Sequence, residues 1–429
     1  MTPSEGPIRR HLLPLTAKKT SAGALSIGGL SLLDLAEEHG TPLFVYDEVH
    51  LRSCCRQAVA AFGPGVAYGT KAFLCKAMAS LAHEEGMMLD VASGGELAVA
   101  LAAGVPGDRL VMHGNNKSIE EIAAAMQAGV GRLVVDSFDE IGRLRGLLRR
   151  SSRPSLSVLV RVTPGVEAHT HEYVMTGQED SKFGFSLSTG AADEAVDALA
   201  GIRGVEVVGA HAHIGSQIFR TDAFVREVAA LASFVARHGF GELCVGGGLG
   251  VAYLNEEEAP SVAEWASVVR SAGAAAGLTA DLRLTAEPGR AIVATAGITL
   301  YRVGTIKRLP GLRTYVAVDG GMSDNPRPVV YGSGYEAFLP RSPDASRPLS
   351  ARLVGKHCES GDVLIDDARL PDDLAVGDLL ATPVTGAYGY SMASNYNRVG
   401  RPAVLFVAEG RARVVIRRET TEDLLALEP

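Results

Sequence analysis

The sequence is poor in several things, and each shortage excludes a class of protein. It has no apolar run of about 18 residues, so no spanning helix is expected. Its first residues, MTPSEGPIRRHLLPLTAKKT, hold no apolar block of about 7–15 residues before a small-residue cleavage site, so no secretory signal is expected. Cysteine is scarce and scattered: Cys54, Cys55, Cys75, Cys244 and Cys358 are odd in number and form no CxxC pair. That reads as reduced cytoplasmic thiols, not a disulfide framework or a zinc site. Positive charge is in deficit. Lys plus Arg is 41 and Asp plus Glu is 49, a net charge of −8, and no long basic run exists. Neither nucleic acid nor an anionic membrane is an expected partner. There is no internal repeat and no low-complexity tract. The runs Glu256–Glu258 and Arg149–Arg150 read as solvated loops or helix ends.

What is present suits a large core. Hydrophobic residues are 47% and charged residues 21% of 429, ordinary for a globular chain of two or three domains. Short β-branched runs alternate with Ala/Leu-rich stretches. The strands expected are Val66–Ala72, Met88–Ser93, Leu110–Gly114, Arg132–Ser137, Leu156–Val162, Val205–Ile214, Glu242–Gly248 and Leu282–Gly289. Helical patterns lie between them, near 75–85, 94–103, 118–128, 138–150, 190–200, 221–238 and 261–276. Ser118 with Glu121, and Ser137 with Glu140, have capping-box spacing. Eight alternations predict an α/β fold, a (β/α)8 TIM-like barrel, over an open doubly wound sheet. After about residue 300 helical patterns nearly vanish. Runs such as Tyr315–Val318, Ala351–Val354 and Ala412–Ile416 are broken by Gly and Pro. This predicts a C-terminal β-rich domain, barrel or sandwich, to which the N-terminal stretch Ala24–Leu30 adds a strand. The boundaries expected are 46–300 for the barrel, 24–45 with 301–429 for the β-rich domain, and 1–23 for an N-terminal extension. Ser342–Leu349 reads as an exposed loop.

Barrel active sites sit at the carboxyl ends of the strands, and polar residues gather there: Lys71, Asp90, His113 with Asn115, Arg161, His211 with His213, Gly246–Gly248, then Glu287 with Arg290. Lys71 at an apolar strand end is expected to be desolvated, which favours an amine nucleophile able to form a Schiff base. A packed stem with a solvated head is the simpler alternative. The Gly triplet lets backbone N–H groups approach a phosphate, with Ser216 as a further donor, or else it is only a tight turn. Glu287 facing a pyridine nitrogen would keep it protonated and strengthen it as an electron sink, or else it pairs with Arg290. Amine, cradle and carboxylate together are what pyridoxal phosphate needs. His211 and His213, like His169 and His171, have i, i+2 spacing that would put them on one strand face. Metal ligation is the weaker reading of them, because no acidic ligand stands beside them in the sequence. In the β-rich domain, KHCESGD offers Cys358 as a proton donor unless it is an ordinary buried thiol. GAYGYSMASNYN, with Tyr388, Tyr390 and Tyr396, reads as a ligand-binding loop.

As an ordered set, YGTKAF, LDVASGGEL, HGNNKS, VEAHTHEYVMTGQEDSKFG, HAHIGSQI, GGGLG, EPGRAIV, VDGGMSDNPR, GKHCESGD and GAYGYSMASNY resemble the fold-type III pyridoxal-phosphate decarboxylases, and within them the diaminopimelate decarboxylases. The resemblance runs from about Gly40 to the C-terminus. It implies a cytoplasmic homodimer acting on a small amino acid. Lys71 would hold the cofactor and His213 would stack on its ring. Asp90, Ser216, Gly247, Gly248, Glu287, Gly289, Arg290 and Tyr388 would complete the cofactor site. Arg290, Arg327, Tyr331, Glu359 and Tyr388 would contact substrate. Cys358 and Glu359 would enter from the partner subunit, with Cys358 as proton donor. The implied reaction turns meso-diaminopimelate into L-lysine and CO2. Around Arg327 the chain departs from the family pattern, with Pro326, Pro328 and Gly332-Ser333-Gly334, so a relative acting on another amino acid, carrier-bound or free, is the alternative. A racemase, a cofactor-carrying binding protein and a metal hydrolase are the more distant readings.

Overall fold

The computed structural model describes residues 5–149, 155–166 and 180–429. His169, His171 and Arg150 lie outside them. The chain divides into two compact units. One comprises Met1–Cys54, Val251–Ala259 and Ile292–Pro429, the other Cys55–Gly250 and Pro260–Ala291. The texture of the sequence put boundaries at 46 and 300.

The second unit is a barrel of eight parallel strands: β1 (Ala67–Gly69), β2 (Met88–Val91), β3 (Leu110–Met112), β4 (Arg132–Val135), β5 (Leu156–Thr163), β6 (Val205–His211), β7 (Glu242–Cys244) and β8 (Arg283–Thr285). They pair in sequence order from β1 to β8. The ring closes where Ala67 N–H donates to the Ala286 carbonyl at 3.0 Å and Gly69 N–H to the Pro288 carbonyl at 3.2 Å. Ala67, Val111, Val134, Leu159 and Cys244 form one buried cluster, with Met88 and Val208 packed on it. Seven strands thus contribute one side chain each, the arrangement expected of a filled barrel interior.

The helices between strands start where the sequence supplies caps. Ser118 caps Ile119–Ala128, and Glu121 completes a reciprocal capping box. Ser137 also caps its helix, Phe138–Leu148, but Glu140 does not close the box. Its carboxylate takes the Asp136 N–H at 3.0 Å and the ammonium of Lys117 at 2.9 Å. Lys117 and Glu140 are both almost fully buried. A buried ammonium needs a counter-charge, and that need outweighs one capping bond.

The other unit is built on a sheet whose path runs Val363–Leu370, Leu349–Val354, Arg313–Val318, Gly297–Leu309, Leu43–Asp47, Ala403–Ala408, Arg411–Ile416. Leu379–Pro383 pairs beside the long Gly297–Leu309 strand. The N-terminal strand of this sheet is therefore Leu43–Asp47, hydrogen-bonded between Gly297–Leu309 and Ala403–Ala408. Ala24–Leu30, expected to fill that role, instead makes a small sheet of Lys18–Lys19, Leu25–Ile27 and Leu30–Ser31. Gly28 and Gly29 turn the chain back on itself with φ of 59° and 86°, so the run is too short to span a large sheet.

Candidate active site

Seven of the eight barrel strands end earlier than expected, β5 running one residue further, and the predicted chemistry lies at or just past the strand ends. β1 stops at Gly69. Lys71 sits in the following 3-10 turn, Thr70–Ala72, which Thr70 ties to the Asp90 carbonyl at 2.7 Å. Lys71 is exposed, so the desolvated setting expected for its amine is absent. Its ammonium acts electrostatically on Asp90 and His213.

The centre of the rim is a buried carboxylate. Glu287 Oε1 is 2.8 Å from His113 Nε2, and Oε2 is 2.9 Å from His211 Nε2. The two imidazoles meet edge-on, centroids 4.8 Å apart at 67°. Asp90 Oδ1 lies 3.6 Å from His113 Nε2. Burial alone would push Glu287 up, but the two imidazoles hold its carboxyl well below the usual carboxylate range. Burial, moderated by His113, pushes Asp90 up to about 6. Burial would lower His113, yet Asp90 and Glu287 raise it above its ordinary value. Burial takes His211 down to about 4 despite Glu287. Arg290 donates to Ser216 Oγ at 2.9 Å.

His211 and His213 do not form the paired face that their spacing suggests. β6 ends at His211. The Gly247 N–H donates to His213 Nδ1 at 3.1 Å. His213 therefore carries its proton on Nε2, and burial holds it well below the ordinary histidine value. This occupies the Gly247 amide, which was a predicted phosphate donor. An acidic group does stand beside His211, contrary to the sequence reading, but it is Glu287, which follows β8, two strands along the ring.

The Gly triplet is a required feature. At Gly248, φ is 103° and an added Cβ would lie 2.3 Å from the Gly215 carbonyl oxygen. At Gly246, φ is 60° and a Cβ would lie 2.5 Å from the Ala212 oxygen. Gly289 backs onto Gly69, where a Cβ would meet the carbonyl oxygen at 2.8 Å. Arg161 is level with His211 in the ladder, 3.5 Å from Asp136 and with its guanidinium carbon 4.3 Å from the centroid of Phe183.

In the other unit, Arg327 is nearly fully buried at the start of the short helix Arg327–Tyr331. The loop before it is pinned by Asp324, which accepts from the Tyr301 hydroxyl and, at 2.8 Å, from the Gly321 N–H. The guanidinium donates to the Tyr335 hydroxyl and, at 3.0 Å, to Ser333 Oγ. Tyr253 lies 4.3 Å beneath it. Burial opposes the charge, but Tyr253, Tyr335 and the more distant Tyr388 raise Arg327 above its usual value. The sequence reading missed Tyr253, Ser333 and Tyr335 as Arg327 partners. Ser333 and Tyr335 come from the Gly-rich stretch that follows the Arg327–Tyr331 helix, so that stretch builds the Arg327 setting. They also line a cavity of about 480 Å³, which no predicted site residue lines. Tyr331 is half-buried. Tyr388 has a φ of 60°, a strained backbone for a non-glycine residue. Cys358 and Glu359 are exposed, so Cys358 is not an ordinary buried thiol. The Cys358 N–H donates to Asn397 Oδ1 at 3.1 Å.

No helix among the described residues is long and apolar enough to cross a membrane. Residues 49–294 match the family described as pyridoxal-dependent decarboxylase, pyridoxal binding domain. The diaminopimelate decarboxylase of Mycobacterium tuberculosis is 48% identical, covering 97% of this chain and 98% of its own. That of Bacillus subtilis is 45% identical, over 96% and 97%. Among solved structures, diaminopimelate decarboxylase from M. jannaschii in co-complex with L-lysine has a TM-score of 0.89 at 31% identity, covering 97% and 98%. The Helicobacter pylori enzyme complexed with L-lysine has a TM-score of 0.83 at 31% identity, covering 92% and 98%. The chain belongs to the pyridoxal-dependent decarboxylase family, in its diaminopimelate decarboxylase branch.

Proposed function

We propose that the chain is a cytoplasmic, pyridoxal-phosphate-dependent carboxy-lyase that converts meso-2,6-diaminopimelate to L-lysine and CO2, the last step of lysine biosynthesis. It works as a homodimer with sites shared between protomers. The observation that carries the reading is the anion fixed at the barrel rim. Glu287, held ionised by two imidazoles, is the group a pyridine nitrogen needs opposite it. Relatives of this name match over nearly the whole chain, and two solved ones hold L-lysine, the expected product.

The residues fit the cofactor. Lys71 presents an exposed amine for its aldehyde. Gly246 and Gly248 leave room for nothing larger than hydrogen beside the backbone, as a close phosphate cradle requires. Gly248, with Arg290 and Ser216 already joined, serves the phosphate. When bound, pyridoxal phosphate supplies an aldehyde for an amino group and a ring that accepts the electron pair left as CO2 departs.

The protein's own part is positioning and proton handling. Lys71 would hold the cofactor through its side-chain amine. Glu287 would keep the proton on the ring nitrogen. His213, neutral and fixed by Gly247, offers a flat face to the ring. Arg327 binds the distal carboxylate as a planar, fully charged donor pair, with Arg290, Tyr331 and Tyr388 bordering substrate. Cys358 and Glu359 are assigned to the neighbouring protomer's site, where Glu359 takes the distal ammonium. Cys358 Sγ delivers a proton to the carbon that lost its carboxylate.

The test is incubation with pyridoxal phosphate and meso-diaminopimelate, with lysine, ornithine and arginine as competitors. Equal amounts of CO2 and L-lysine are expected, with the competitors unconsumed. Cofactor absorbance without turnover would overturn the substrate and leave the cofactor.

A further inference from the structure

We propose that His113 and His211 are positioning residues that clamp both oxygens of Glu287, so that its carboxylate stays anionic, correctly turned and able to keep the cofactor's ring nitrogen protonated. The proposal rests on the cofactor reading above.

Each Glu287 oxygen has its own imidazole nitrogen, at 2.8 and 2.9 Å, and all three side chains are buried. A carboxyl in this setting without partners would be driven to its neutral form. A neutral acid could share its own proton with a pyridine nitrogen but could not hold a pyridinium. The imidazoles therefore decide the charge of the ring as well as the angle of the acid. They leave each oxygen a second lone pair, so a ring N–H can still be accepted.

The tautomers support the assignment. His211 Nδ1 has no hydrogen-bond partner among the described residues. With the proton there, two lone pairs would face each other across 2.9 Å. The proton therefore sits on Nε2, and neutral His211 donates. His113 Nε2 faces Asp90 as well as Glu287, so it too carries a proton. The other charged or titratable groups bearing on the cluster are Lys71, Glu96, Arg161, His213 and Cys244. His113 comes from β3's end and His211 from β6's end, so the clamp exists only when the barrel is closed.

The test reconstitutes the protein with pyridoxal phosphate labelled with nitrogen-15 in the ring and reads that nucleus by NMR, with cofactor affinity beside it. Wild type should show a protonated ring nitrogen. His113→Leu and His211→Leu should each shift the signal toward the unprotonated range and weaken cofactor binding by about tenfold or more. His211→Gln, which returns an N–H donor, should move back toward wild type. Where a Leu variant does not fold, the polar but shorter His113→Asn and His211→Asn take its place, with the same two results to distinguish. A folded Leu or Asn variant that binds cofactor with an unmoved nitrogen signal overturns the proposal. Failure of the cofactor reading looks different: wild type would then bind no pyridoxal phosphate.

Discussion

Arg327 lies over Tyr253, its guanidinium carbon 4.3 Å from the ring centroid, while its nitrogens donate to Tyr335 and Ser333. Stacking and forked donation both depend on a planar cation. Arg327→Lys keeps the charge and loses both, so the substitution is not conservative. Loss of one charge-assisted interaction of about 1.5–3 kcal/mol predicts a fall in kcat/KM of about 10- to 100-fold. The effect should fall mainly on KM for meso-diaminopimelate, with cofactor binding unchanged. Steady-state kinetics and cofactor titration separate the two.

Gly248→Ala tests the cradle. The new Cβ would meet the Gly215 oxygen at 2.3 Å at a φ of 103°. The loop must move, and the amide proposed to serve the phosphate moves with it. Weaker pyridoxal phosphate binding is expected in a protein that still folds, read by cofactor titration beside a circular dichroism spectrum. Gly277→Ala is a useful control. There φ is 79° but nothing lies within 4 Å, so only backbone strain of about 1 kcal/mol is expected and no loss of cofactor.

Much of the fold was legible because period and caps agree with the tertiary structure. All eight barrel strands and the capping box at Ser118 and Glu121 lie where the sequence puts them. The strand ends were not legible, because the short segments past the last ladder bond, such as Thr70–Lys71 and Asp136–Ser137, carry no Gly or Pro turn signal in the sequence. Hence Lys71 lies in a turn rather than a strand. The Glu287 clamp was not legible either. Its donors lie 174 and 76 residues away, and local spacing tied Glu287 to Arg290 and His211 to His213 instead. Ring closure brings these groups together, and no window of sequence contains it. The diversion of Glu140 to Lys117 is a contact between neighbouring strand–helix units, set by the need of a buried ammonium for a counter-charge.

Cys358→Ala should lower kcat by about 10²- to 10⁴-fold, the range for loss of a positioned proton donor, with cofactor binding retained. Cys358 is exposed on its own protomer. Mixing inactive Cys358→Ala with inactive Lys71→Ala should therefore restore activity in the mixed dimer, in which one site has both wild-type groups. No restoration after subunit exchange would place both groups in a site within one chain.

Glu227 carries a stability prediction. It is fully buried in the helix Asp222–His238, and neither carboxylate oxygen has a partner among the described residues. Burial pushes its carboxyl well above the ordinary value. Between the unfolded and the raised folded value, the unfolded chain has lost the proton that the folded one keeps. Stability therefore falls as pH rises through that window, by about 1.4 kcal/mol per pH unit. Glu227→Met, similar in size and apolar, should raise Tm at pH 7 and gain much less at pH 4. A gain independent of pH would show that Glu227 does not titrate this way.

The central claim is that one amine, at the end of the first barrel strand, holds the cofactor. Borohydride reduction of the holoenzyme followed by peptide mass spectrometry tests it most directly. The account predicts a single pyridoxyl phosphate adduct, on Lys71, absent from Lys71→Ala. An adduct on another lysine, such as Lys76 or Lys117, would contradict it.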